Sequence, residues 1–485
     1  MSRSAAVDRL ADVGMLVGGE WVRPSGGDVL RSVDPTTEEV VAEVPDAGPA
    51  DVDAAVAVAE QALPAWSATA PTARAALLLQ LADRVEQHEG ELAEIDTVDT
   101  GNPLAAMLED VRAAVRQMRM FAGFATEIKG RSGLHGDASL SYELREPYGV
   151  VGRITAFNHP LLYAAGKAAA ALVGGNTVLL KPSDHTPLST LRLAELSRGL
   201  LPDGVLNVVT GSGPRAGAAL AGHPRVPRIS YTGGVPGGKA VLHAGVDAIK
   251  HVTLELGGKN PMIVFGDVDP VRAARAAVVG MNFARSQGQS CQSNSRVFVH
   301  EDVHDAFVEA LLDAVGALQV GDPLEAGNDL GPVSYRAHFE RVLGYIDAGI
   351  AEGASLLAGG GALDRPGFFV RPTVFGDVED GMTIAREEIF GPVLSVMRWR
   401  DLDDVVRRAN DTPFGLTANI WTDDVRTAHR TAHRIQAGYV WVNGTGKRVP
   451  GTPFGGYRQS GLGKESSLEE VLEFTRHKVV AMDLG

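Results

Sequence analysis

A single cysteine, Cys291, stands in the 485 residues, within Gly288-Gln289-Ser290-Cys291. A lone thiol forms no intrachain disulfide, so it is either buried filler or a reagent. Its neighbours Gly288, Ser290, Ser293 and Ser295 are small and polar and pack a core poorly. Glycine beside a thiol also admits close backbone approach by a ligand. A working thiol needs activation, because a free thiol with a pKa of about 8.5 is only slightly ionised at neutral pH. It also needs an oxyanion donor, a base and, for redox work, an electron acceptor. Three other stretches carry suitable groups. Leu254-Glu255-Leu256-Gly257-Gly258-Lys259 sets a carboxylate in an apolar, glycine-rich turn, where burial raises its pKa toward general-base range. Phe157-Asn158-His159-Pro160 puts an amide just after a predicted strand, and Lys181-Pro182-Ser183-Asp184 puts a cation and an anion just after the next. Taken singly, Asn158 also reads as a turn amide and Glu255 as a buried ion-pair partner.

The elements that must position these groups follow from hydrophobic periodicity. The N-terminal part predicts short strands at Trp21-Val22 and 40–42, then three long helices over 50–65, 71–99 and 105–125, with no chemical residue in view. Alternation of Leu140, Tyr142 and Leu144 with polar residues predicts an exposed strand, and the short apolar tail 478–482 is a candidate to pair with it. From Val150 onward strands and helices alternate. Strands are predicted at 150–154, 177–180, 205–209 and 228–231, with helices at 161–173, 187–200, 216–221 and from Val235. A second such unit has strands at 261–264, 296–299, 368–375, 393–397, 418–421 and 439–442, and helices at 270–283, 303–318, 402–409 and 425–435. This alternation predicts an α/β fold of two doubly wound parallel-sheet domains, which bind ligands at the carboxyl ends of their strands. Gly211-Ser212-Gly213-Pro214-Arg215-Ala216-Gly217 is one residue too long for G-x-G-x-x-G. Gly233-Gly234-Val235-Pro236-Gly237-Gly238 follows a strand and opens a helix, as a phosphate site would; an ordinary tight turn has the same composition.

Bulk properties narrow the classes. With 45 Lys+Arg against 60 Asp+Glu the net charge is −15, a poor match to nucleic acid or anionic membrane. No apolar run is long enough to span a bilayer. Residues 1–15 lack the pattern of a cleaved leader, and one cysteine suits a reducing compartment, so the expected setting is cytoplasmic.

Seven motifs in order carry a resemblance: Phe157-Asn158-His159-Pro160, Lys181-Pro182-Ser183, Tyr231-Thr232-Gly233-Gly234, Leu254-Glu255-Leu256-Gly257-Gly258-Lys259, Gly288-Gln289-Ser290-Cys291, Glu387-Glu388-Ile389-Phe390-Gly391-Pro392 and Pro453-Phe454-Gly455-Gly456. From about Ala50 to the C-terminus the chain resembles the aldehyde dehydrogenase superfamily. The resemblance implies that Cys291 attacks an aldehyde, that Asn158 and the Cys291 N–H hold the oxyanion, that Glu255 activates water against the thioester, and that Lys167 stands on the active-site helix. It implies NAD, with NADP as the alternative, along Thr155, Phe157, Lys181, Ser183, Asp184, Gly213, Gly217, Gly233, Gly234, Gly238 and Leu256, with Glu388 at the nicotinamide ribose and Phe390 on the ring. Asp184 stands where the family usually has Glu. An acid there accepts from a 2′-hydroxyl and repels a 2′-phosphate, which favours NAD. No metal is implied. The implied layout is a dinucleotide domain of residues 1–128 with 148–258, a catalytic domain of 259–465, and a β flap of 129–147 with 470–485 through which the family forms homodimers or homotetramers.

On the substrate side, His159 and Gly166 replace aromatic residues common in the family, which predicts a roomier pocket. Arg285 lies six residues before Cys291, where succinate-semialdehyde members have a carboxylate-binding arginine. Arg448 lies in the loop before Phe454, which in the family closes over the aldehyde. The expectation is a small polar or carboxylate-bearing aldehyde held by Arg285 and Arg448. Against it stand Arg285 paired to an internal acid, and a preference for uncharged aliphatic or aromatic aldehydes. A CoA-acylating enzyme would not need Glu255. A redox-independent cysteine hydrolase would want a histidine partner, and no histidine motif stands out.

Overall fold

The computed structural model describes residues 5–24 and 26–485; the leader reading and the proposed first domain extend to residues 1–4, outside that range. Two large sheets dominate. The first has eight strands in the order Gly461–Leu462, His251–Glu255, Arg228–Thr232, Val150–Ile154, Thr177–Lys181, Leu206–Val208, Met15–Val17 and Glu20–Val22. Its five central strands run parallel, and the outer pairings are antiparallel. Val150–Ile154 lies between Thr177–Lys181 on one side and Arg228–Thr232 on the other. The chain winds outward in both directions from it, so a crevice opens at the carboxyl ends of these three strands. Those ends are followed or filled by Thr155, Lys181 and Thr232.

The second sheet has seven strands, ordered Ser355–Ala358, Thr373–Gly376, Val393–Trp399, Arg296–His300, Pro261–Val264, Thr417–Trp421 and Tyr439–Val442. All neighbours are parallel except the edge strand Ser355–Ala358. Asn260 and Cys291 precede strands of this sheet, so its amino edge faces the carboxyl edge of the first. The nucleophile therefore arrives from the edge of a parallel sheet that normally carries no chemistry.

The tail strand Thr475–Asp483 pairs antiparallel with Ser139–Pro147, Lys478 opposite Leu144 and Met482 opposite Leu140. Ser132–Leu134 completes a three-stranded sheet. The predicted helix over 71–99 is two, Pro71–Gln87 and Glu89–Thr100, parted at His88 (φ −109°, ψ 22°). The predicted strand 368–375 begins only at Thr373, because Pro372 lacks the N–H a ladder needs. The helix predicted over 161–173 opens with a π-turn, Leu162–Gly166, and is α-helical from Lys167. Strand His251–Glu255 and helix Arg336–Ala351 were not foreseen, and both reach the site. Among the described residues no helix is long and apolar enough to cross a membrane.

Candidate active site

Cys291 lies in the loop between the short helix Phe283–Ser286 and strand Arg296–His300. The backbone there is forced: Asn282, Gln287 and Gly288 have φ of 58°, 52° and 72°. Only glycine fits at 288, where a Cβ would fall 2.2 Å from the Gly391 carbonyl oxygen. Buried amides hold the loop. Asn260 Nδ2 donates to the carbonyls of Cys291 (2.7 Å) and Ser293 (2.9 Å), and Asn158 Nδ2 donates to that of Gln289 (2.8 Å). The Ser334 N–H donates to Gln289 Oε1 at 3.0 Å. Asn260 is a positioning residue the sequence reading missed, although it directly follows Gly257-Gly258-Lys259. Burial pushes the Cys291 thiol up to about 12; the Glu255 and Glu388 carboxylates add to this, and Arg448 and Lys167 oppose it. The resting group is a thiol, not a thiolate.

Glu255 ends the strand His251–Glu255, rather than standing in a turn. Its carboxyl is buried, and Oε1 has no hydrogen-bond partner among the described residues. Burial, then the Glu465 carboxylate, raise its pKa well above the ordinary range, against Lys167, Arg448 and Lys464. Glu465 was not singled out from sequence, since only the fold brings it here. Lys167 Nζ pairs with Glu465 Oε2 at 2.5 Å and donates to Thr232 Oγ1 at 2.7 Å. Burial alone would raise Glu465; Lys167 and Arg153 outweigh it and keep the carboxyl below its ordinary pKa.

Two cavities meet at Cys291. The first, of about 350 Å³, runs along the carboxyl edge of the first sheet. It is lined by Thr155, Phe157, Asn158, Lys181, Ser183, Asp184, Gly213, Gly233, Gly234, Glu255, Leu256, Cys291, Glu388 and Phe390, together with Tyr335, His338 and Arg341 from around the unforeseen helix. Two expected residues stand behind its wall. A Cβ on Gly217 would lie 4.0 Å from Lys181 Cε, and one on Gly238 would lie 2.8 Å from Leu256 Cδ2, so Gly238 serves helix-to-strand packing. Gly233 makes room for the Tyr231 phenol, whose oxygen would be 2.3 Å from its Cβ; a Cβ on Gly234 would make only ordinary contact, 3.7 Å from Pro236 Cδ. Glu388 Oε1 accepts the Gly258 N–H at 3.0 Å. A Cβ on Gly257 would sit 1.9 Å from Glu388 Oε2.

On the other side of Cys291 lies a small pocket of about 30 Å³ bounded by Tyr163, Lys167, Glu255, Arg448, Phe454 and Glu465. It shares Gln117, Leu162, Arg448 and Ser466 with an outer funnel of about 630 Å³. The funnel presents Arg116, Arg285, Lys447 and Arg448 against Glu109. Arg448 lies over the Phe454 ring, 4.4 Å from its centroid. The structure departs from the expected roomier pocket at Gly166 and His159, and at Arg285 it shows the internal-acid alternative. Gly166 adds no room, because the Gln117 side chain fills the space: a Cβ on Gly166 would lie 2.1 Å from its Oε1. His159 turns inward, its Nδ1 2.5 Å from Asp110 Oδ2. Arg285 reaches the funnel, yet its guanidinium pairs with the same buried Asp110. Burial would raise the Asp110 carboxyl, but His159 and Arg285 outweigh it and hold the pKa low. Asp110 and Gln117 come from helix Leu104–Gly123, so the helical N-terminal part does contribute to the site.

A half-buried thiol between an amide and an unpaired carboxylate, set where two parallel sheets face each other, defines a class. Residues 21–480 match the model of the aldehyde dehydrogenase family, and the chain belongs to that family. Among solved structures, it is similar to an aldehyde dehydrogenase from Bacillus cereus in its NAD+ complex (38% identity, all of both chains, TM-score 0.97). It is also similar to an NAD-dependent aldehyde dehydrogenase from Sinorhizobium meliloti (39%, 100% of this chain and 97% of that, TM-score 0.96). A third is betaine aldehyde dehydrogenase from Staphylococcus aureus in complex with NAD+ (32%, 99% and 97%, TM-score 0.95).

Proposed function

We propose that this protein oxidises an aldehyde to its carboxylic acid with NAD, through a thioester on Cys291. The observation that carries this is the position of Cys291, at the seam of the two cavities and between Asn158 and Glu255. The residues fit the cofactor: Gly234 lines the cavity at a helix start, Lys181 and Asp184 stand at and just past the end of strand Thr177–Lys181, and half-buried Glu388 faces the same cavity. Bound NAD supplies the hydride acceptor. Cys291 Sγ adds to the carbonyl carbon and gives up its proton to solvent water through the cavity. Asn158 Nδ2, which keeps a second N–H beyond its bond to Gln289, donates to the oxyanion, an interaction worth about 3 kcal/mol. After the carbon has lost hydride, Glu255 takes a proton from the attacking water and passes it to the departing sulfur as the acid leaves, restoring the thiol. Asp184 supports NAD over NADP.

The cation-rich funnel of an acidic chain supports a substrate with a carboxylate beyond the aldehyde. Arg448, common to funnel and pocket, is the better anchor; Arg285 is committed to Asp110 and shapes the rim. The three-stranded flap, with Leu134, Leu144 and Val479 exposed, supports self-association as a dimer or tetramer. The layout of dinucleotide domain, catalytic domain and flap, and a cytoplasmic setting, belong to the same reading. The test follows reduced nicotinamide by absorbance with succinate semialdehyde and with uncharged aldehydes, using NAD and NADP. Product formation without NAD(P) reduction sinks the dehydrogenase reading, and equal turnover of uncharged aldehydes sinks the anionic substrate.

A further inference from the structure

Helix Arg336–Ala351 packs on the second sheet, yet two of its side chains, one turn apart, grip the loop that carries Glu388. Arg341 Nη2 donates to the Glu388 carbonyl at 2.9 Å, and His338 Nε2 to the Phe390 carbonyl at 2.7 Å. A carbonyl only accepts, so Nε2 carries the proton. Burial lowers the imidazole pKa to about 4, so the ring stays neutral at working pH. Phe390 needs such a restraint: its φ is 61°, a left-handed backbone that a residue with a bulky side chain adopts only at a cost. His338 is 3% exposed, and its ring meets those of Phe157 (5.8 Å) and Phe390 (6.1 Å) edge-on. The nucleophile loop lies beside this grip but is held by its own bonds, from Asn158, Asn260 and Ser334. Gly391 lies against Val342 of the same helix, and its carbonyl abuts Gly288; Ser334, just before the helix, holds Gln289.

We propose that His338 is a positioning residue, whose Nε2–H bond to the Phe390 carbonyl fixes the Glu388–Gly391 loop in the shape that grips a nicotinamide cofactor beside the nucleophile loop. The assignment rests on the cofactor reading above. The test compares the full chain with His338→Leu, which has no donor, and His338→Gln, which keeps one. Three quantities are measured: NAD affinity by quenching of intrinsic fluorescence, amide hydrogen exchange over 386–392 without cofactor, and cofactor-free hydrolysis of 4-nitrophenyl acetate, which needs the nucleophile and base alone. Expected for leucine are NAD binding weakened about tenfold or more, faster exchange over 386–392, and ester hydrolysis within about twofold of wild type; glutamine returns affinity to within about threefold. Should the leucine variant not fold, His338→Asn, whose shorter amide falls short of the carbonyl, replaces it. Wild-type affinity in the leucine variant overturns the assignment. So does equal weakening by leucine and glutamine, or loss of ester hydrolysis in step with NAD affinity. Failure of the wild-type protein to bind NAD overturns the cofactor reading instead, and the clamp is then judged by exchange alone: an unchanged rate over 386–392 overturns it.

Discussion

The two cavities that share Cys291 are built from different materials. The cofactor side has a main-chain floor of strand ends, glycines and a helix start, with Lys181, Asp184, Glu388 and Arg341 set around it. The substrate side is side chain throughout: Lys167 against Glu465, Arg285 and His159 against Asp110, Arg448 over Phe454. A main-chain cradle binds what every member of a reaction class shares, because backbone groups do not vary with residue type. A side-chain funnel can be rewritten residue by residue without disturbing the sheets. Glu255 stands on the border, held by backbone and tuned by the charges across the seam.

The largest expected effect breaks the catalytic step while sparing both cavities. Glu255→Gln keeps the shape and removes the base. Turnover is expected to fall by about a thousandfold, with an acyl adduct on Cys291 visible by intact-mass spectrometry. A variant that turns over normally, or shows no adduct, separates Glu255 from thioester hydrolysis.

The next pair sharpens the contrast directly. Arg448→Met removes the one cation common to funnel and pocket. It is expected to raise KM for a carboxylated aldehyde about tenfold to a hundredfold, leaving KM for NAD and for uncharged aldehydes within about twofold. The mirror substitution is Gly257→Ala. Its methyl group would collide with the Glu388 carboxylate, 1.9 Å away as the chain stands. KM for NAD is expected to rise about tenfold, with little change in KM for the aldehyde. If both substitutions disturb both substrates alike, the cavities are not independent.

This difference of material also explains what could be read from sequence. The alternating strands and helices came through because their apolar periods are local. Asn158, Lys181, Asp184 and Gly234, which line the first cavity, could be singled out because they sit at or beside predicted strand and helix ends. The helix Arg336–Ala351 and the strand that ends on Glu255 were missed. The polar partners were missed for another reason. Asp110, Gln117 and Glu465 lie on helices or loops far away in sequence, and no local pattern marks a buried acid from an exposed one. Arg285 was visible by its offset from Cys291, but its pairing with Asp110 depends on a helix packed 175 residues upstream. The room expected at Gly166 was lost in the same way, to Gln117.

The smallest effect tests whether charge on the substrate side reaches the base on the border. Glu255 works as a base only when ionised, so thioester hydrolysis rises as pH climbs through its pKa. Burial raises that pKa first, and the ionised Glu465 raises it further. Glu465→Gln removes the repulsive charge and frees Lys167 from its ion pair, and both changes favour ionised Glu255. Its pKa falls, and the rising limb of the pH–rate profile is expected to move to lower pH. Lys167→Met removes a cation that favours the ionised form, so its limb is expected to move to higher pH. Because the Cys291 thiol also titrates high, the limb must be read on the steady-state rate that follows a burst of reduced nicotinamide, where hydrolysis limits. Opposite displacements in the two variants show electrostatic control of Glu255 across the seam. Displacements of the same sign, or none, show that the limb belongs to Cys291 and that the charge network serves the fold alone.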